Sequence, residues 1–131
     1  MNKTNIKVEM RITGDKFDIE EITNVLDILP VSYWKKGDKI RNKERTYTEW
    51  SYSTQYIETL DMNVPLKELK KKFISKEIEL CTLKTKYGLN YLLEIVVIIE
   101  NNETPAIYFD KDILQFVSKI GAEIDIDTYV N

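Results

Sequence analysis

Tyr91-Leu-Leu-Glu-Ile-Val-Val-Ile-Ile-Glu100 decides the fold of this chain, and Glu94 is its only interior charge. Alternation places Leu92, Val96 and Ile98 on one pleat face and Leu93, Ile95, Val97 and Ile99 on the other. β-branched residues dominate the stretch, which favours a strand over a helix. Ten residues are too few to span a bilayer as a helix, which takes about 20. A strand apolar on both faces needs cover on both, or a central place in a sheet plus a partner. Burying each of these side chains stabilises the fold by roughly 1.5–3 kcal/mol.

Downstream, Asn101-Asn102 suits the positive φ angles of a tight turn, and Ala106–Phe109 has the length of a short return strand. Asp110 stands where a helix N-cap belongs, before a stripe of Ile113, Leu114, Val117 and Ile120 that Gly121 closes. Residues 123–130 then alternate, with Ile124, Ile126, Thr128 and Val130 facing in and Glu123, Asp125, Asp127 and Tyr129 facing out. Upstream, Pro65 starts a helix carrying Leu66, Leu69 and Phe73. A phase shift near Ser75 begins a second helix, ending at Tyr87 with Gly88 beyond it. Thr46–Ile57 alternates as one long or bent strand. Near the start, Ile6, Val8, Met10 and Ile12 alternate with Lys7, Glu9, Arg11 and Thr13. Asp18 then caps a helix over about Ile19–Ile28, with Glu21 placed to complete a capping box before Pro30.

These elements predict one α+β domain over residues 1–131, with a mainly antiparallel sheet and helices packed on one face. A strand and an Asp-capped helix recur near both ends, which points to a ferredoxin-like layout of two split β-α-β halves. The sheet's other face is polar on the terminal strands and apolar on the central one. A long loop or a second copy, hence a homodimer, is expected to cover it.

Composition excludes several kinds of chemistry. The chain has 131 residues, one cysteine (Cys81) and no histidine. An intrachain disulfide and a Cys-cluster zinc site are ruled out. So are the Ser-His-Asp and Cys-His nucleophile systems. Acid–base work would fall to Asp, Glu, Lys or Tyr. The four glycines stand alone, so no phosphate-cradling loop exists. No metal, no cofactor and no catalytic residues are expected. The start of the chain carries neither an apolar leader core nor a cleavage site, which makes a cytoplasmic location the expectation and a membrane partner unexpected. The net charge of −3 weighs against nucleic acid.

Three surfaces are candidates. The first is Tyr33, Trp34, Lys35, Lys36 and Asp38 with Arg41 and Arg45, an exposed basic loop or mobile strand entry. Between Val31 and Arg45 six cations face two acids, a local net of +4. Aromatics beside cations suit an acidic protein partner, or stacked bases and phosphates; the plain alternative is a solvated loop anchored by one buried Trp. The second is the alternating aromatic face Trp50, Tyr52 and Tyr56, which would line a small-ligand pocket or lie in the core beneath a helix. The third is Glu123, Asp125 and Asp127, a potential cation or acid–base face. Pairing with Lys7 and Arg11, if the first and last strands are neighbours, makes it a cross-strand ladder instead.

Arg11-Ile-Thr-Gly-Asp15, the helix end Leu29-Pro30, Trp34-Lys-Lys-Gly-Asp38, Glu103-Thr-Pro105 and Gly121-Ala-Glu-Ile-Asp-Ile-Asp-Thr-Tyr129 also form a pattern. In order and spacing it resembles the bacterial domain-of-unknown-function 4279 family over nearly the whole chain. The resemblance implies a small bacterial α+β domain and brings no activity with it. The function expected from the residues is a non-catalytic cytoplasmic protein-interaction module, immunity-like in masking a toxin. The alternative is a small-ligand-binding or regulatory domain using the Trp50–Tyr56 face.

Overall fold

The computed structural model describes residues 2–131. Among them the chain runs β1 (Asn5–Gly14), α1 (Ile19–Leu26), β2 (Ser32–Trp34), β3 (Lys39–Ile40), β4 (Lys43–Glu44), β5 (Thr48–Ser53) and β6 (Ile57–Glu58). It continues through α2 (Asn63–Phe73), a 3-10 turn (Ile74–Lys76), α3 (Glu77–Tyr87), β7 (Asn90–Ile99), α4 (Lys111–Lys119) and β8 (Ala122–Val130). The main sheet has the order β2-β5-β1-β7-β8, with β6 also on β1, and β3 and β4 form a separate hairpin.

The class is α+β and the sheet is mixed. β1 is antiparallel to both β5 and β7, whereas β7 and β8 run parallel. The ferredoxin-like expectation therefore needs correcting. A split β-α-β unit holds a strand between its two parallel members. Here β7 and β8 are direct neighbours, joined by a parallel crossover through α4. The proposed ladder between the first and last strands is absent for the same reason: β7 lies between β1 and β8.

All four helices put their buried stripes into one cluster with Ile6, Val8, Met10 and Ile12 of β1 and Leu93, Ile95 and Val97 of β7. Asp18 accepts the Glu20 N–H at the start of α1, as its position predicts. Glu21 closes no capping box: its carboxylate pairs with Lys86 at 2.8 Å and accepts from the Tyr87 hydroxyl, tying α1 to α3. Asp110 sits at the N-cap of α4 without a capping hydrogen bond, because its carboxylate pairs with Lys67 at 3.0 Å. Asn101 and Asn102 adopt positive φ of 52° and 58°. The expected return strand shrinks to a single bridge between Asp61 and Ala106.

The opposite face carries no helix among the described residues. Leu92 and Ile98 are half-buried there, and Val96 lies in register between Lys7 and Asp127. Charged side chains on the flanking strands, among them Lys7 and Asp127, border these apolar residues. An antiparallel sheet can leave one face to solvent in this way, with long cationic stems shielding the apolar residues. No helix among the described residues is long and apolar enough to cross a membrane.

Candidate functional site

The basic segment is an ordered hairpin. Gly37 N–H donates to Arg45 O and Arg45 N–H to Asp38 O, both at 2.8 Å, closing its base. At the tip, Arg41 and Asn42 both take positive φ (49° and 66°), the requirement of a two-residue turn that matches strand twist. Asp38 has a local task, since its carboxylate accepts the Lys35 N–H at 2.9 Å. The hairpin is pinned to the loop after β1 through Lys36. Its N–H donates to Thr48 Oγ1, Thr48 donates to Asp15 O, and its ammonium pairs with the Asp15 carboxylate.

Trp34 lies opposite Glu49 in the β2–β5 pairing. The Arg45 guanidinium sits 3.9 Å from its ring centroid and Tyr47 meets it edge-on at 5.5 Å. Trp34 is half-buried, and its Nε1 is enclosed with no hydrogen-bond partner among the described residues. Trp34 is thus the hairpin's anchor, and the aromatic that faces solvent is Tyr33, 58% exposed. Ile40 near the tip is 50% exposed. Lys35, Lys39, Arg41, Lys43 and Arg45 take part in no ion pair among the described residues.

Next to the hairpin base, Arg11 bridges two carboxylates across three strands. It reaches Glu49 at 2.9 Å and Glu94 at 3.4 Å. Burial raises the Glu49 carboxyl above its ordinary value, while the Arg11 guanidinium draws it back. A cleft of about 470 Å³ opens here between Arg11, Thr13, Tyr47, Glu49 and Leu92. Arg11 is already engaged by two acids, so the cleft offers no free cation to an anionic ligand. Tyr47 and the Arg11 bridge were missed in the sequence. Arg11, Tyr47 and Glu49 lie on the polar sides of alternating segments, and only the β1–β5 and β1–β7 pairings bring Arg11 between its two acids.

The Trp50–Tyr52–Tyr56 pocket does not form. Trp50 is 0% exposed and Tyr52 packs edge-on to Phe73 at 5.8 Å, both on the helix side of the sheet. The strand bends after Ser53, where Val8 N–H donates to Thr54 Oγ1 and Thr54 N–H returns to Val8 O. Tyr56 emerges beyond that bend beneath the Lys7 ammonium, 5.0 Å from its ring centroid. Glu123 and Asp125 are exposed on β8 and Asp127 is half-buried; none is ion-paired among the described residues. No group of three potential metal ligands occurs among the described residues.

Three carboxyls held by hydrogen bonds make acid unfavourable to the fold. The Lys36 hydrogen bond holds the Asp15 carboxyl below its ordinary 3.8, those from Lys86 and Tyr87 hold Glu21 below 4.5, and those from Asn63 hold Asp61 below 3.8. Each favours the fold above its ordinary value and loses that contribution as the pH falls through the depressed one. Glu49, raised, acts in the opposite sense. The melting temperature is expected to fall as pH drops below 4.5, and Glu21→Gln, which removes the tie between α1 and α3, is expected to flatten part of that fall. Thermal melts followed by circular dichroism across that range check this; a midpoint that rises on acidification would contradict it.

These features define a small α+β domain with a mixed sheet, one open face and a cationic hairpin at its edge. The chain belongs to the DUF4279 family, a domain of unknown function, whose model matches residues 3–131. No curated protein matches the chain. No solved structure matches it either.

Proposed function

We propose that the protein is a non-catalytic, cytoplasmic protein-interaction module that grips an acidic protein surface with the β3–β4 hairpin and Tyr33. An immunity-like role, in which the module covers a toxin's working surface, fits this reading. The observation that carries it is five hairpin cations without ion pairs among the described residues, flanking exposed Tyr33 and Ile40. Cations left unneutralised within the chain steer an acidic partner, and exposed aromatic and apolar groups supply binding energy once it arrives. The small-ligand alternative loses its support with the burial of Trp50.

A photo-crosslinking residue in place of Tyr33 tests the reading in cells, with exposed Thr85 on α3 as the control position. Adducts with an acidic protein at position 33 and none at 85 are expected. Equal labelling at both positions, or adducts with nucleic acid alone, would refute it. Against the captured partner, Tyr33→Ala should weaken binding by more than about 1 kcal/mol. Lys39→Glu with Lys43→Glu should chiefly slow association. Both variants should melt close to the wild type, since these side chains are exposed.

A further inference from the structure

The two outer edges of the main sheet carry opposite charge. The hairpin, at a local net of +4, emerges beside β2, the first strand of the sheet order. β8 is the last, and it carries Glu123, Asp125 and Asp127 with exposed Tyr129 and Val130. Among the described residues none of these three carboxylates is ion-paired, just as most of the hairpin cations are not. Each edge therefore presents unneutralised charge of one sign together with exposed apolar side chains.

We propose that β8 of one copy receives the cationic hairpin of a second copy, giving a head-to-tail self-association. This rests on the hairpin reading above and names an acidic surface that the hairpin fits. β8 is poorly suited to pairing with itself. Antiparallel β8–β8 addition would bring the acidic rows of the two copies together, and like charges opposite one another are destabilising. The hairpin escapes this repulsion, bringing cations to the acids and Tyr33 and Ile40 to Tyr129 and Val130. A heterologous contact of this kind leaves one free hairpin and one free β8 at the ends of every oligomer. Assembly is thus open-ended unless the rotation closes a ring.

Sedimentation velocity of the full chain over a concentration series tests it, at about 10 mM and about 1 M salt, where the screening lengths are about 30 Å and about 3 Å. The average mass should rise with concentration at low salt and return to that of one chain at high salt. Asp125→Lys with Asp127→Lys should be monomeric, and so should Lys39→Glu with Lys43→Glu. An equimolar mixture of the two should associate again, because each reversed edge then meets its complement. A wild type that stays monomeric at low salt, or association that both reversals leave unchanged, would overturn the proposal. Should one variant fail to fold, the salt dependence of the wild type still decides. If the wild type is monomeric while position 33 still crosslinks a foreign acidic protein, only the second copy is excluded. If position 33 captures nothing beyond the Thr85 control, the hairpin reading falls too.

Discussion

Replacing Ile95 by aspartate is expected to abolish the cooperative thermal transition. Ile95 is 0% exposed on the helix side of β7 and belongs to the single large apolar cluster. It pairs with Val8 on one side and Ile126 on the other. No cation among the described residues is in register with it. A carboxylate there is either ionised without a partner or protonated in an apolar site, at a cost of several kcal/mol. Total stabilities run to about 5–15 kcal/mol, so one such change removes much or all of the margin. The adjacent Val96→Asp supplies the contrast. Val96 is only 7% exposed, yet it points to the open face with Lys7 in register. An aspartate there lies between the Lys7 cation and the Asp127 carboxylate, outside the apolar cluster, so Val96→Asp should melt cooperatively at a lowered temperature. Circular dichroism melts of the two variants side by side check the pair. Equal damage from both would mean that the open face is covered after all.

That contrast marks what the sequence could express. Alternation in 91–100 shows that both faces of the strand are largely apolar, but not which face the helices take. The deciding information lies in β1, whose Ile6, Val8, Met10 and Ile12 are all buried and pair with β7 in register. Local signals were legible: the Asp18 cap, the break between α2 and α3, the positive φ of 64° at Gly88, and the turn at Asn101-Asn102. Long-range ones were not. Nothing near Gly121 dictates that β8 should lie parallel to β7 rather than beside β1. The acids at 21 and 110 could not announce that tertiary partners, Lys86 and Lys67, would outcompete capping. The hairpin escaped notice because β3 and β4 have two residues each, too short for alternation to register. Its turn also uses Arg41-Asn42, not the glycine-containing pair usual in such turns.

The two tryptophans should separate stability from binding, and Trp50 carries the stability. It is 0% exposed, its Nε1 donates to Thr23 Oγ1 at 3.1 Å, and its ring meets Phe73 edge-on at 6.4 Å. In this way it joins β5 to α1 and α2 at once. Trp50→Ala leaves a large cavity at a site held by two helices and a paired strand, where collapse is restricted. Such truncations cost about 3–5 kcal/mol. Trp50→Phe keeps much of the volume and loses the hydrogen bond to Thr23, a net of about 0.5–1.5 kcal/mol before any packing loss. Trp34 is stacked under Arg45 at the hairpin base, outside the apolar cluster. Trp34→Ala should therefore leave the global transition nearly in place and loosen the hairpin alone. Urea unfolding followed by far-ultraviolet circular dichroism measures the global term. Amide exchange at Gly37 and Arg45, whose N–H groups close the hairpin base, measures the local one. Trp34→Ala should speed exchange at those two amides with little change in the urea midpoint, while Trp50→Ala should shift the midpoint strongly. If Trp34→Ala shifted the midpoint as far as Trp50→Ala, the hairpin would be part of the cooperative core rather than a separately stabilised binding element.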